Sequence, residues 1–178
     1  MDALATNREQ EIFLHNMALV ALATRLTHAL RNMAKSADTF APRKGSYGNG
    51  SMSEFERLWV EYGERFGIDF TTPENAKRIA FIENMRKARN QIVHEGGEAN
   101  PFKYMNEVVK AGDEELLETK FSEACSEYVS GTGASAVVCV TPEKLNENIQ
   151  ESLRLIEWLA GKLRRIQLAS ASKTSGTQ

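Results

Sequence analysis

The run Glu83-Asn84-Met85-Arg86-Lys87-Ala88-Arg89-Asn90-Gln91-Ile92-Val93-His94 gathers the side chains of this chain best suited to work on a phosphodiester. His94 carries an imidazole, which titrates near neutrality and can give or take a proton. Arg89 carries a guanidinium, which stays charged and presents a planar fork to phosphate oxygens. RNA brings its own nucleophile, the 2′-hydroxyl. Cleaving it needs a base for that proton, an acid for the leaving 5′-oxygen and positive charge beside the phosphorus-bound oxygens. Imidazole and guanidinium meet those needs without a metal or a cofactor.

Helical spacing constrains how these groups meet. Asn90 and His94 are four apart and share a face. Arg89 and His94 are five apart, about 140° around the axis and roughly 7.5 Å along it. The arginine must therefore curl to reach the imidazole. In the last turn His94 feels the negative helix end, which favours imidazolium, and Arg89 nearby opposes that. Arg86, Lys87, Lys77 and Arg78 make the same helix locally basic, a path for RNA or a solvated charged face. One chain supplies one such histidine, and a two-fold homodimer would bring two into one cleft as acid and base.

Arg89-Asn90-x3-His94 resembles the R-[polar]-x3-H signature of the HEPN superfamily, within its broader R-x4–6-H motif, which sits at the end of a bundle helix. Arg8-x6-His15 meets the looser spacing too and is set aside. The likeness in sequence covers about a dozen residues, and the architecture it implies covers residues 5–168. It implies a metal-independent endoribonuclease of the toxin or phage-defence kind, acting at a composite site on a homodimer. By it, His94 transfers protons, Arg89 clamps the phosphate and Asn90 orients. It also implies a possible cognate antitoxin or regulatory protein. The alternative it leaves is a non-catalytic dimeric module that binds a nucleotide, RNA or a protein partner. One departure stands out: the tyrosine that such toxins often carry two residues after the histidine, a target of adenylylation, is Gly96 here.

Other motifs fail on context. Gly131-Thr132-Gly133-Ala134-Ser135-Ala136 matches a dinucleotide fingerprint, yet a strand-like Val-Val-Cys-Val follows where a helix is required. Gly45, Gly48 and Gly50 are not followed by Lys-Ser/Thr, so there is no P-loop. His94-Glu95 lacks the second histidine of a zinc-protease helix, and no Glu-x-x-His pair exists for a di-iron bundle. With three histidines and two cysteines, scattered, no metal site is expected. His15 and His28 read as ordinary histidines of the first helix. Arg164-Arg165 read as complements to the dipole of the last helix.

Length and composition frame these residues. The chain has 178 residues, 42% apolar and 26% charged, which is ordinary for one globular domain. A net charge of −2 argues against a histone-like binder with a uniformly basic surface. The longest apolar run, Met17 to Ala23, is short of the roughly 20 residues that span a bilayer. No basic n-region or apolar h-region opens the chain. The expectation is a reduced, cytoplasmic protein without membrane partners. In a hairpin centred on Thr132, Cys125 and Cys139 would face each other.

The four prolines all fall at boundaries. Residues 5–37 read as one long helix, with Ile12, Leu14, Met17, Leu19, Val20, Leu22, Leu26, Leu30 and Met33 forming an apolar arc. A Gly/Ser-rich connection fills 38–52. Ser53 and Glu56 form a capping-box pattern before Phe55, Leu58, Trp59, Tyr62 and Phe66, and Gly67 ends that helix. Thr72-Pro73-Glu74 opens the helix that carries the motif, and Gly96-Gly97 stops it. Short helices are expected at 101–111 and 113–124, and a β-hairpin across 127–140. Thr141-Pro142-Glu143 starts a last helix over 142–168, with Leu145, Ile149, Leu153, Ile156, Ala160 and Leu163 as its seam. The expected fold is all-α, a four-to-five-helix up-and-down bundle of residues 1–168, with a small β-hairpin before the last helix and a disordered tail at 169–178.

Overall fold

Start signals legible in the sequence form as hydrogen bonds in a computed structural model, which describes residues 3–95, 128–130 and 137–175. Helix α1 spans Ala3–Ser36, and a 3-10 turn at Ala37–Thr39 follows it. Helix α2 spans Glu54–Phe66. At its start the Glu56 N–H donates to Ser53 Oγ at 3.2 Å, and the Ser53 N–H donates to Glu56 Oε2 at 2.6 Å. Gly67 closes α2 at φ 63°, a left-handed conformation that glycine adopts without steric cost. Helix α3 spans Pro73–Glu95, and Thr72 Oγ1 accepts from the Asn75 N–H at 3.4 Å. Helix α4 spans Pro142–Ser175, with Thr141 Oγ1 accepting from the Lys144 N–H at 3.2 Å. The described chain is mostly helical, as expected of an all-α fold. The Gly96-Gly97 stop and the helices expected at 101–111 and 113–124 lie outside the described residues.

The hairpin keeps its place and changes its register. Strand β1, Val129–Ser130, pairs antiparallel with β2, Val137–Val138, so that Val129 faces Val138 and Ser130 faces Val137. The Cys139 N–H donates to the Tyr128 carbonyl at 2.7 Å, which sets Tyr128 across from Cys139. The face-to-face placement of Cys125 and Cys139 that a hairpin centred on Thr132 would give does not follow from this register. Cys125 lies outside the described residues, and among the described residues Cys139 is a free thiol.

The last helix departs from expectation twice. It runs on through residues 169–175, where the sequence reads as tail. No proline or glycine lies between Leu168 and Gly176, and the Ser170 and Ser172 hydroxyls donate to the Gln167 and Ala169 carbonyls at 2.8 and 3.0 Å. Its buried stripe also matches the apolar seam only at Leu163. Asn148, Ser152, Leu155, Leu159 and Leu163 are buried, while Ile149 and Leu153 stand 38% and 50% exposed. On α1, similarly, Leu14 and Met17 are exposed beside Phe13, and the buried line runs Asn16, Leu19, Ala23, Leu26, Leu30, Ala34.

The chain forms two compact units. The first comprises Met1–Thr24 and Ala80–Ile149, and the second Arg25–Ile79 and Gln150–Gln178. In the first unit, Leu19, Ala23, Ile82, Met85, Ala88, Tyr128, Val138 and Val140 are buried. Two amides secure its hairpin. Asn16 Nδ2 donates to the Val138 carbonyl at 2.9 Å, and Asn16 Oδ1 accepts from the Val140 N–H at 3.1 Å. The amide thus pairs with β2 much as a neighbouring strand does. The Tyr128 hydroxyl donates to Asn148 Oδ1 at 2.9 Å.

Aromatic packing and a buried guanidinium build the second unit. Trp59 meets Phe55 and Phe70 edge-on, each with ring centroids 5.3 Å apart, and Tyr62 lies 5.3 Å from Phe66. Arg65, 2% exposed at its side chain, donates from Nη1 to the Ala34 carbonyl at 2.9 Å and to Glu61 at 2.6 Å. Its Nη2 pairs with Asp38 and its Nε with the Ala41 carbonyl. These bonds satisfy one carbonyl left open in the last turn of α1 and one in the connection that follows it. Arg43 joins the same Glu61 carboxylate at 2.9 Å.

Candidate functional site

The motif lies entirely in the first unit, on the second half of α3. Burial of Ile82, Met85, Ala88 and Gln91 fixes which side of that helix faces the core. Opposite this face, Glu83, Lys87, Asn90 and His94 follow one another at helical spacing. Lys87 and His94 are exposed, and Asn90 is half-buried. Arg89 lies at the border of the buried face, about 100° around the axis from Asn90.

The arginine turns toward the outer face. Arg89 Nη1 donates to Asn90 Oδ1 at 2.9 Å. That bond occupies the amide oxygen, leaves the Asn90 amino group as a donor and draws the guanidinium toward the side that carries His94. Among the described residues His94 makes no hydrogen bond, and it stands exposed in the last turn of α3. The arrangement offers a phosphate two kinds of partner, a guanidinium fork and an exposed imidazole.

The four other basic residues of α3 divide. Arg86 forks onto Glu83 Oε2, with Nε at 3.1 Å and Nη2 at 2.8 Å, so a carboxylate offsets its charge. Lys87 is exposed on the same unit. Lys77 and Arg78 belong to the second unit. Arg78 pairs with Glu74 and sets its guanidinium 4.9 Å from the ring centre of Trp158, while Lys77 is exposed. Arg89, Asn90, His94, Arg86 and Lys87 thus belong to the first unit, and Lys77 and Arg78 to the second.

The other histidines lie elsewhere on α1. His15 is half-buried and His28 is exposed. The Glu143 carboxyl is held below the usual range first by its own backbone N–H, then by Thr141 and the charge of His15. Among the described residues no group of three or more His, Cys, Asp or Glu is placed to hold a metal ion, and no helix is long and apolar enough to cross a membrane.

Two polar centres escaped the reading of the sequence. Asn16 occupies a core step of α1, between Ile12 and Leu19 at helical spacing, and that periodicity was the available signal. Arg65 follows Glu61 by one turn, a pattern that reads as an ordinary surface ion pair. Nothing in it announces the carbonyls of residues 34 and 41. No protein-family model, curated protein or solved structure matches this chain.

Proposed function

We propose that the chain is a metal-independent endoribonuclease of HEPN type whose active centre is built from Arg89, Asn90 and His94 of two copies. The observation that supports it is the Arg89–Asn90 hydrogen bond at 2.9 Å, which turns the guanidinium toward the face of the exposed His94. In the reaction one imidazole takes the 2′-hydroxyl proton as that oxygen attacks phosphorus. The P–O5′ bond breaks, and the partner's imidazolium protonates the leaving oxygen. The products are a 2′,3′-cyclic phosphate and a 5′-hydroxyl. Arg89 balances charge on the phosphoryl oxygens throughout.

Purified full-length chain incubated with RNA, beside His94→Ala, tests this. The wild type should cut in the presence of EDTA and leave cyclic phosphate ends. His94→Ala should lose on the order of 10²–10⁴-fold in rate with unchanged helicity. Equal cleavage by both chains, or none by either, sinks the proposal. A second reading rests on His94 having no hydrogen-bond partner among the described residues, so that no group there selects its tautomer. On that reading the motif binds a nucleotide, RNA or a protein partner without turnover, and wild type and His94→Ala both bind and neither cuts.

A further inference from the structure

The chain's net charge of −2 conceals a separation. The second unit holds 14 Lys and Arg against 9 Asp and Glu, a formal +5, and the first holds 8 against 15, a formal −7. Part of the positive excess lies in line on α4. Arg154, Trp158, Lys162 and Arg165 recur at steps of four, four and three, within about 80° of arc. Trp158 is half-buried, with the Arg78 guanidinium 4.9 Å and the Lys162 ammonium 5.8 Å from its ring centre. The indole thus holds two cations in place. Carboxylates answer only part of this charge. Glu74 pairs with Arg78 and Glu151 with Arg154. Among the described residues none pairs with Lys162 or Arg165.

The obvious structural explanation for the basic pair Arg164-Arg165 fails. A cation complements a helix dipole only within the last turn, and α4 ends at Ser175, about three turns beyond. Gly161 borders the same stripe. A Cβ there would meet nothing within 4 Å, so packing does not require the glycine, and glycine is a poor helix former. It leaves the helix backbone open between Trp158 and Arg165.

We infer that this face of the second unit, Arg154–Trp158–Lys162–Arg165 with Arg78, binds the sugar–phosphate backbone of single-stranded RNA. Cations beside an aromatic ring in a track are the physical requirement for sequence-tolerant binding of a single strand. The choice of RNA rests on the reading proposed above. The cationic track does not, since it belongs to the other unit and shares no residue with Arg89, Asn90 and His94.

The test is fluorescence anisotropy of a labelled oligouridine with full-length chain carrying His94→Ala, so that cutting does not intervene. Binding should weaken linearly in log salt. Lys162→Gln with Arg165→Gln should weaken it on the order of tenfold at low salt and lower the slope by about 0.7 for each phosphate no longer neutralised. Circular dichroism checks that helicity is kept, and Arg8→Gln, an exposed charge of the first unit, should leave affinity unchanged. Equal affinity in the Lys162/Arg165 variant overturns the inference, as does binding to phosphatidylserine vesicles but not to oligouridine. RNA cleavage by the wild type, with binding untouched by the α4 changes, overturns this inference alone. Binding abolished through α4 in a chain that never cuts overturns the nuclease reading alone.

Discussion

The two units bury polar groups by opposite means. The second encloses a charge: the Arg65 side chain is 2% exposed and Glu61 9%, joined at 2.6 Å. The first encloses neutral amides: Asn16 is 7% exposed and Asn148 0%. A buried guanidinium is tolerable only when its donors are met, and Arg65 meets two carboxylates and two carbonyls. An amide costs less to bury, and it reads direction, because one end donates and the other accepts. The second unit therefore uses charge to tie the end of a helix to the connection after it, where two carbonyls meet one guanidinium. The first uses an amide to set a hairpin against a helix.

Breaking the charged centre should cost most. Arg65→Ala leaves Glu61 buried and the Ala34 and Ala41 carbonyls without their donor, and should lower stability by about 3–5 kcal/mol. Urea denaturation followed by circular dichroism measures it. A loss below about 1 kcal/mol would place the energy of this centre in the aromatic packing instead. The double change Arg65→Met with Glu61→Leu should recover part of the loss, because it removes the buried carboxylate that Arg43 alone would otherwise face, while the Ala34 and Ala41 carbonyls still lack a donor.

The amide centre should come next. Asn16→Ala strips the Val138 carbonyl and the Val140 N–H of partners, at about 2–3 kcal/mol. Asn16→Asp should lose at least as much, since a carboxylate cannot donate to Val138. If Asn16→Asp were as stable as the wild type, the donor role of Nδ2 would be wrong.

Much of this was legible in the residues, and the limits follow the same divide. Caps and stops are local, so Ser53 with Glu56, Gly67 and Thr72-Pro73 sit where the sequence placed them. The all-α class follows from the same segments. Which side of a long helix turns inward is not local. The apolar steps of α4 point to Leu145, Ile149 and Leu153, yet Asn148 and Ser152 are buried. A bond from Tyr128, twenty residues away, draws Asn148 inward. The docking of β2 depends likewise on Asn16, at the far end of the sequence. At the candidate site, spacing placed Asn90 and His94 on one face. The turn of Arg89 toward Asn90 is a rotamer, which spacing constrains but does not choose.

Alkaline pH sharpens the contrast at an intermediate size. Burial holds the Tyr62 phenol above its ordinary range, with the neighbouring Glu61 charge adding to the effect, and its hydroxyl donates to the Leu30 carbonyl at 2.8 Å. In the unfolded chain a tyrosine releases its proton near pH 10, while folded Tyr62 keeps it. The unfolded state then binds fewer protons, so stability falls as pH rises above about 10 and is unaffected by this group below that. Tyr62→Phe should flatten that decline in denaturation curves across the alkaline range. At neutral pH it should cost about 1 kcal/mol for the missing hydrogen bond.

The smallest effect on folding separates scaffold from function in the second unit. Arg154 is 66% exposed and pairs with Glu151 one turn before it on α4. An exposed pair of this kind contributes at most about 0.5 kcal/mol, because water screens it and two long side chains lose freedom. Arg154→Gln should therefore leave stability in urea within about 0.5 kcal/mol of wild type, whereas Arg65, the same side chain buried, should not be replaceable at that cost. Its effect on oligouridine affinity should nonetheless be measurable and should shrink with added salt, since a phosphate contact, unlike a buried ion pair, competes with counterions. A fall in stability of several kcal/mol without any change in RNA affinity would make Arg154 part of the scaffold, and the positive excess of the second unit would then serve only to hold its helices.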